Sequence, residues 1–201
     1  MTATQLSGGA AEWRAATELQ PLVKNWWIMA GRGVLAVLFG VAIALWRIPV
    51  FDAAIVSFGT YAIADGILAI ASVLRTAPPR MTGWPIALEG IISLCFGLLA
   101  LRWPFLPRGA IGVLIAWAVL TGICEIVAAV GLPPKLAAHW LVGAGGAFSI
   151  FLALVVLGLV LGTPYAGSDR VVLALAAYAI VFGVVILFAS LRFRRAAAWR
   201  P

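Results

Sequence analysis

Charge is scarce in this chain. Only 10% of its 201 residues are Asp, Glu, Lys or Arg, while 64% are apolar and the mean hydropathy is +1.11. A soluble domain cannot be assembled from so little polar surface, so the solvent is lipid. Histidine occurs once, as His139, and cysteine twice, as Cys95 and Cys124. One histidine excludes a His-rich metal set and a His-based triad, and leaves axial haem ligation without a second ligand. Two cysteines inside apolar runs make no disulfide framework and read as small apolar fillers. Walker-type loops, dinucleotide fingerprints and haem-attachment motifs are missing too, and the connectors between apolar runs are too short to hold one. These absences point to a protein without metal or cofactor that is not an enzyme.

What is present is six apolar runs, approximately over residues 26–46, 53–74, 84–101, 109–131, 140–162 and 171–191. Each approaches the roughly 20 residues that cross a hydrocarbon core, where every backbone polar group must be bonded internally. The fold class is therefore all-α integral membrane, six transmembrane helices arranged as three hairpins over about 26–75, 84–131 and 140–192. They form a single domain across 26–192, after a polar segment 1–25 and before a basic tail 193–201. Within the first segment Trp13, Ala16, Leu19 and Val23 make one weak apolar stripe that Pro21 interrupts, which leaves an interfacial helix open. No basic stretch with a small-residue cleavage site precedes the first run, which reads as a true span.

The formal charge of +7 does not indicate nucleic acid, because the basic residues sit at span ends and form no soluble face. Assigned to alternate sides, nine of them, Arg75, Arg80, Lys135 and Arg192 included, oppose four: Arg47, Arg102, Arg108 and Arg170. That imbalance places both termini in the cytoplasm of a bacterial inner membrane protein.

An internal repeat organises the spans. Trp27, Arg32-Gly33, Phe39-Gly40 and Pro49 recur as Trp84, Glu89-Gly90, Phe96-Gly97 and Pro104, and more weakly as Trp140, Gly145-Gly146, Ala153 and Pro164. The even spans repeat Tyr61-Ala62 with Asp65-Gly66 as Trp117-Ala118 with Thr121-Gly122, then as Tyr178-Ala179 with Phe182-Gly183. All three copies enter from one side, so rotation about an axis near the membrane normal relates them; the inverted repeats common in transporters are absent. Helices in lipid associate through close backbone approach, which makes Gly33, Gly40, Gly66, Gly90, Gly97, Gly122, Gly146 and Gly183 the expected packing residues. The Gly158-x-x-x-Gly162 pair reads as a further internal contact, ahead of a dimer contact. Trp26, Trp27, Trp84, Trp103 and Trp140 fall at headgroup level and read as interfacial anchors.

Arg32-Gly33, Phe39-Gly40, Pro49, Tyr61 and Asp65-Gly66, followed by a similar second hairpin and a weaker third, resemble the HdeD family of bacterial acid-resistance membrane proteins. The resemblance covers residues 26–192 and rests on the ordered recurrence of short Gly, Pro and aromatic motifs. It implies a six-span inner-membrane protein associated with acid-stress tolerance, and carries over no active-site residue. The third hairpin departs most, with Gly145 where the others have Arg32 and Glu89, and Phe182 where the first has Asp65; it reads as scaffold.

Four ionisable residues lie inside the spans: Arg32, Asp65, Glu89 and Glu125. A charge near the bilayer centre costs about 2.5–3.5 kcal/mol, so each should pair, face a cavity or reach the interface. Counting 1.5 Å per residue puts Arg32, Glu89 and Glu125 at roughly 9–10 Å depth and Asp65 deeper, all in the cytoplasmic half. Arg32 is expected to pair with Glu89 or Asp65. The acidic surplus opens a proton-linked role for the cluster, set against a structural ion pair in which Glu125 snorkels or stays protonated. Three functions follow: an HdeD-like stress protein without covalent chemistry, a proton-coupled channel or transporter, or an accessory subunit of a larger complex. The partners are the lipid bilayer and either a second copy or a larger membrane complex, not nucleic acid.

Overall fold

With no water to accept backbone hydrogen bonds, each apolar run has helix as its one stable form. The computed structural model describes residues 25–45, 51–78, 80–102, 107–132, 137–162 and 168–198. They form α1 (Trp26–Leu45), α2 (Phe51–Thr76), α3 (Arg80–Arg102), α4 (Pro107–Val130), α5 (Ala137–Gly162) and α6 (Ser168–Ala198), with no strand among them. Every helix holds a stretch of 20 to 24 residues long and apolar enough to cross a membrane. The protein is an all-α, six-helix membrane protein with an internal repeat. The Trp13 to Val23 stripe with Pro21, the prolines Pro49, Pro104 and Pro164, Trp103 and Lys135 lie outside the described residues.

Helix ends follow local chemistry. Asn25, a favoured N-cap residue type, precedes α1, and its carbonyl accepts the Ile28 N–H at 3.1 Å. At the end of α2, Ala77 takes a left-handed conformation (φ 41°) and donates its N–H to the Val73 carbonyl at 2.9 Å, with Pro78 following to stop the helix. A left-handed alanine costs about 1–2 kcal/mol that glycine avoids. Ala77→Gly is therefore expected to raise the thermal unfolding midpoint in detergent by on the order of 2–4 °C; an unchanged or lower midpoint would mean that the turn carries no such strain.

The six helices stand in a ring in chain order, α1 against α2 and so on round to α6, which packs against α1. The most extensive pairings lie between hairpins, α2 with α3, α4 with α5 and α6 with α1, and each is held by a repeat-equivalent glycine crossing. A Cβ on Gly66 would stand 2.6 Å from the Gly90 carbonyl oxygen, one on Gly146 2.5 Å from that of Gly122, and one on Gly183 2.6 Å from that of Gly33. No side chain fits there, so the backbones touch and gain the dispersion contact that lipid otherwise supplies. Gly40 against Ala176 and Gly97 against Gly59 repeat the arrangement one level further along two of the seams. The expected packing glycines thus belong to the seams between hairpins. The Gly158-x-x-x-Gly162 pair does not pack internally: a Cβ on either residue would meet nothing within 4 Å, and both lie on the outward face of α5. Its spacing matches a contact motif, but the α5 face that packs inward carries Leu152, Ala153 and Val156, a different stripe.

Trp27, Trp84 and Trp140 are exposed near the ends of α1, α3 and α5 that share one side of the ring. Two arginines lie over tryptophans there: Arg75 over Trp27 at 5.6 Å and Arg194 over Trp26 at 5.1 Å, tying the ends of α2 and α6 to the start of α1.

Candidate functional site

The site grows from the middle of the ring. On the even helices Tyr61, Trp117 and Tyr178 are repeat equivalents, all buried, and their rings meet across the axis: Trp117 lies edge-on to Tyr61 at 6.3 Å and to Tyr178 at 6.4 Å. Phe39 stacks on Tyr61 at 4.6 Å, Phe58 meets Trp117 at 5.0 Å, and Phe148 and Phe182 stack on Tyr178. Two of the three central rings are also anchored by hydrogen bonds within their own hairpins. Trp117 Nε1 donates to Ser93 Oγ at 3.1 Å, and Tyr178 and Ser149 share a hydroxyl bond of 2.6 Å. Position 36, equivalent to Ser93 and Ser149, is a fully buried alanine, so the first hairpin anchors Tyr61 by stacking on Phe39 instead.

One helical turn beyond this layer lie the charges. Asp65 follows Tyr61 by four residues on α2, and Arg32 from α1 reaches it with a side-on fork, Nε to Oδ1 at 2.8 Å and Nη2 to Oδ2 at 3.0 Å. Arg32 Nη2 also donates to Glu89 Oε1 from α3. The alternatives of Glu89 or Asp65 as partner resolve into both, because Arg32 carries enough donors for two carboxylates. Asp65 is 2% and Glu89 3% exposed, so neither side chain reaches the interface.

Glu125 on α4 completes the layer differently. It is 5% exposed, which excludes snorkelling to the headgroups, and its Oε2 is buried without a hydrogen-bond partner. Arg32, Asp65 and Glu89 act on it electrostatically from α1, α2 and α3. From α5 the wall is Gly145, where a Cβ would stand 3.4 Å from Glu125 Oε2 and 3.4 Å from the Phe182 ring of α6. The third hairpin, read as scaffold, supplies by its missing side chain the space beside the Glu125 carboxyl.

A cavity of about 70 Å³ leads to this floor. Asn25 and Thr76, at the ends of α1 and α2, mark its mouth, and Arg32, Glu89 and Glu125 line its depth. It has room for several waters. Thr82 lines the same cavity and carries, among the described residues, a second buried side-chain oxygen without a partner, Oγ1. Beyond the charges, the aromatic layer fills the axis. The arrangement is a vestibule at one end of the ring, floored by one guanidinium and the two carboxyls of Glu89 and Glu125, with Asp65 held by Arg32 outside the cavity lining.

His139 falls outside this site. It is half-buried, with Nδ1 2.7 Å from the Ala129 carbonyl at the end of α4. It adds a second hydrogen bond to a last-turn carbonyl of the neighbouring helix, which also accepts the Leu132 N–H at 2.9 Å. Cys124 is buried beside the cluster, Cys95 faces outward, and both are free thiols.

Sequence reasoning missed the vestibule and the aromatic layer, although it noted Tyr61, Trp117 and Tyr178 as repeats. The available signal was their position: tryptophan and tyrosine at repeat-equivalent sites well inside a span cannot be interfacial anchors.

Ring, repeat and buried charge layer together define a multi-pass membrane protein built from tandem helical repeats. The chain belongs to the DUF308 family, described as a short repeat of unknown function, which matches residues 31–101 and again 88–158 and includes HdeD-like membrane proteins. No curated protein and no solved structure matches the chain.

Proposed function

We propose that this chain is an HdeD-like protein of the bacterial inner membrane that serves acid-stress tolerance without covalent chemistry, by exchanging protons at Glu125. The observation that carries this reading is the Glu125 Oε2 atom, buried, unpartnered and at the floor of the vestibule. Arg32 is already engaged by Asp65 and Glu89, so the third carboxyl has no cation of its own. Protonation of Glu125 removes that surplus charge and supplies a donor; its release restores the charge. Either change alters the balance that holds α1, α2, α3 and α4 together at this level.

The excess of Lys and Arg at the vestibule end favours a cytoplasmic mouth, with both termini on that side. The vestibule then faces the compartment that falling pH threatens. Membership of a family that includes HdeD-like proteins supports the same physiology. The aromatic layer favours a dead-end proton site over a conduit, and this separates the leading reading from a proton-coupled channel.

Acid challenge of cells expressing the protein tests the proposal. Wild type is expected to raise survival, and Glu125→Gln, which keeps the shape and removes the titrating group, is expected to return it to the empty-vector level at equal protein abundance. Equal protection by both would overturn the role of Glu125. Proton flux into liposomes above the protein-free background, abolished by the same substitution, would replace the dead-end reading with a channel.

A further inference from the structure

The vestibule differs from a bare proton path in its walls. Ile28, Met29, Ile86, Leu132, Val142 and Ile186 line it between mouth and floor. A proton relay requires a file of water and polar groups and has no use for apolar walls. A hard metal cation collects about six or more oxygen ligands, whereas here the Asp65 carboxylate and the Glu89 Oε1 are committed to Arg32, leaving Glu125 Oε2 as the unpartnered acceptor at the floor. An ammonium head on a short alkyl stem fits both parts: its N–H groups satisfy a lone carboxylate oxygen, its charge offsets that of Glu125, and its methylenes fill the apolar wall. At about 70 Å³ the cavity is half the size of the ~150 Å³ apolar cavity that admits benzene, which limits the stem to a few carbons.

We propose that the vestibule binds a small primary alkylammonium ion, its head against Glu125 and its stem along Ile86, Leu132 and Val142. The unpartnered Thr82 hydroxyl, on the same cavity, gives the ammonium group a second acceptor on its way in. This inference rests on the reading of the vestibule as the working site and adds a ligand that competes with the proton for Glu125.

The probe is n-propylammonium chloride, titrated into the purified full-length protein in detergent at neutral pH while the thermal unfolding midpoint is read. Sodium chloride at equal ionic strength and 1-propanol are the comparisons. A saturable rise on the order of 2–4 °C with propylammonium alone, absent from Glu125→Gln, is the expected result. An equal rise with sodium would overturn the proposal in favour of a bare cation effect. An equal rise with propanol would overturn it in favour of cavity filling without charge recognition. No rise in wild type also overturns it, and this arm does not depend on any variant folding. The proton reading is judged separately by acid survival, so a protein that protects cells and ignores propylammonium would lose only this inference.

Discussion

Replacing Arg32 by methionine is expected to destabilise the protein by about 3–5 kcal/mol, because it leaves Asp65 and Glu89 buried without their cation. In a chain of this length that corresponds to a fall of roughly 10 °C in the thermal midpoint measured in detergent. Methionine keeps much of the packing volume of the arginine stem, so the loss reports charge and not a cavity. The triple variant Arg32→Met, Asp65→Asn, Glu89→Gln is expected to recover most of it, since the polar groups that replace the ion pairs have no charge to desolvate and Glu125 is left as it stands, outside the pairs. Single losses that simply add, with no recovery in the triple, would show that the three side chains do not act as one network.

Gly146→Ala carries the second large expectation. Its Cβ would lie 2.5 Å from the Gly122 carbonyl oxygen, and a backbone atom cannot swing aside as a flexible side-chain end does. Overpacking of a well-fitted core costs about 1–3 kcal/mol, and the upper end applies where two helices must separate bodily. Gly66→Ala and Gly183→Ala, at the equivalent seams, should behave alike. Gly158→Ala is the control, with nothing within 4 Å of the new methyl; it should stay within about 1 kcal/mol of wild type, with alanine's better helix propensity favouring stability. Equal damage at Gly146 and Gly158 would mean that glycine serves the helices by some means other than contact.

Much of this architecture was legible because lipid narrows the choices. Helix is the one stable form for a lone apolar run, so spans read at residues 26–46 and 84–101 became helices Trp26–Leu45 and Arg80–Arg102 with boundaries shifted by a few residues. The repeated glycines signalled close approach for the same reason. What the pattern withheld was which helix each glycine meets. Gly66 and Gly90 could have faced any neighbour, and only the ring order, a property of all six helices at once, joins them across a hairpin boundary. The same limit applied to Gly158-x-x-x-Gly162, whose spacing is that of a contact and whose face is outward.

In the charge layer, Arg32 was bound to find carboxylates because it had no other means of staying in the membrane. The space beside the Glu125 carboxyl is bordered by Gly145, and a glycine gives no sign in sequence of the space it leaves for another residue's side chain. The family match carries a related lesson. Its two stretches, 31–101 and 88–158, begin 57 residues apart, and each runs through a hairpin and on into the next odd helix. The recurring unit thus includes the inter-hairpin glycine seam, Gly66 with Gly90 in one copy and Gly122 with Gly146 in the next.

The seam between α1 and α6 has a consequence for how the ring is born. Two of the three glycine seams join neighbours in the chain and can form as soon as the second helix of each pair is made. The third joins Gly33 to Gly183, the first helix to the last. Until α6 has been synthesised, the notch at Gly33 and Gly40 faces lipid tails or whatever escort the cell provides. Arg32, one residue away, is spared that wait, because Asp65 arrives on the very next helix and lets the cation enter the bilayer already accompanied.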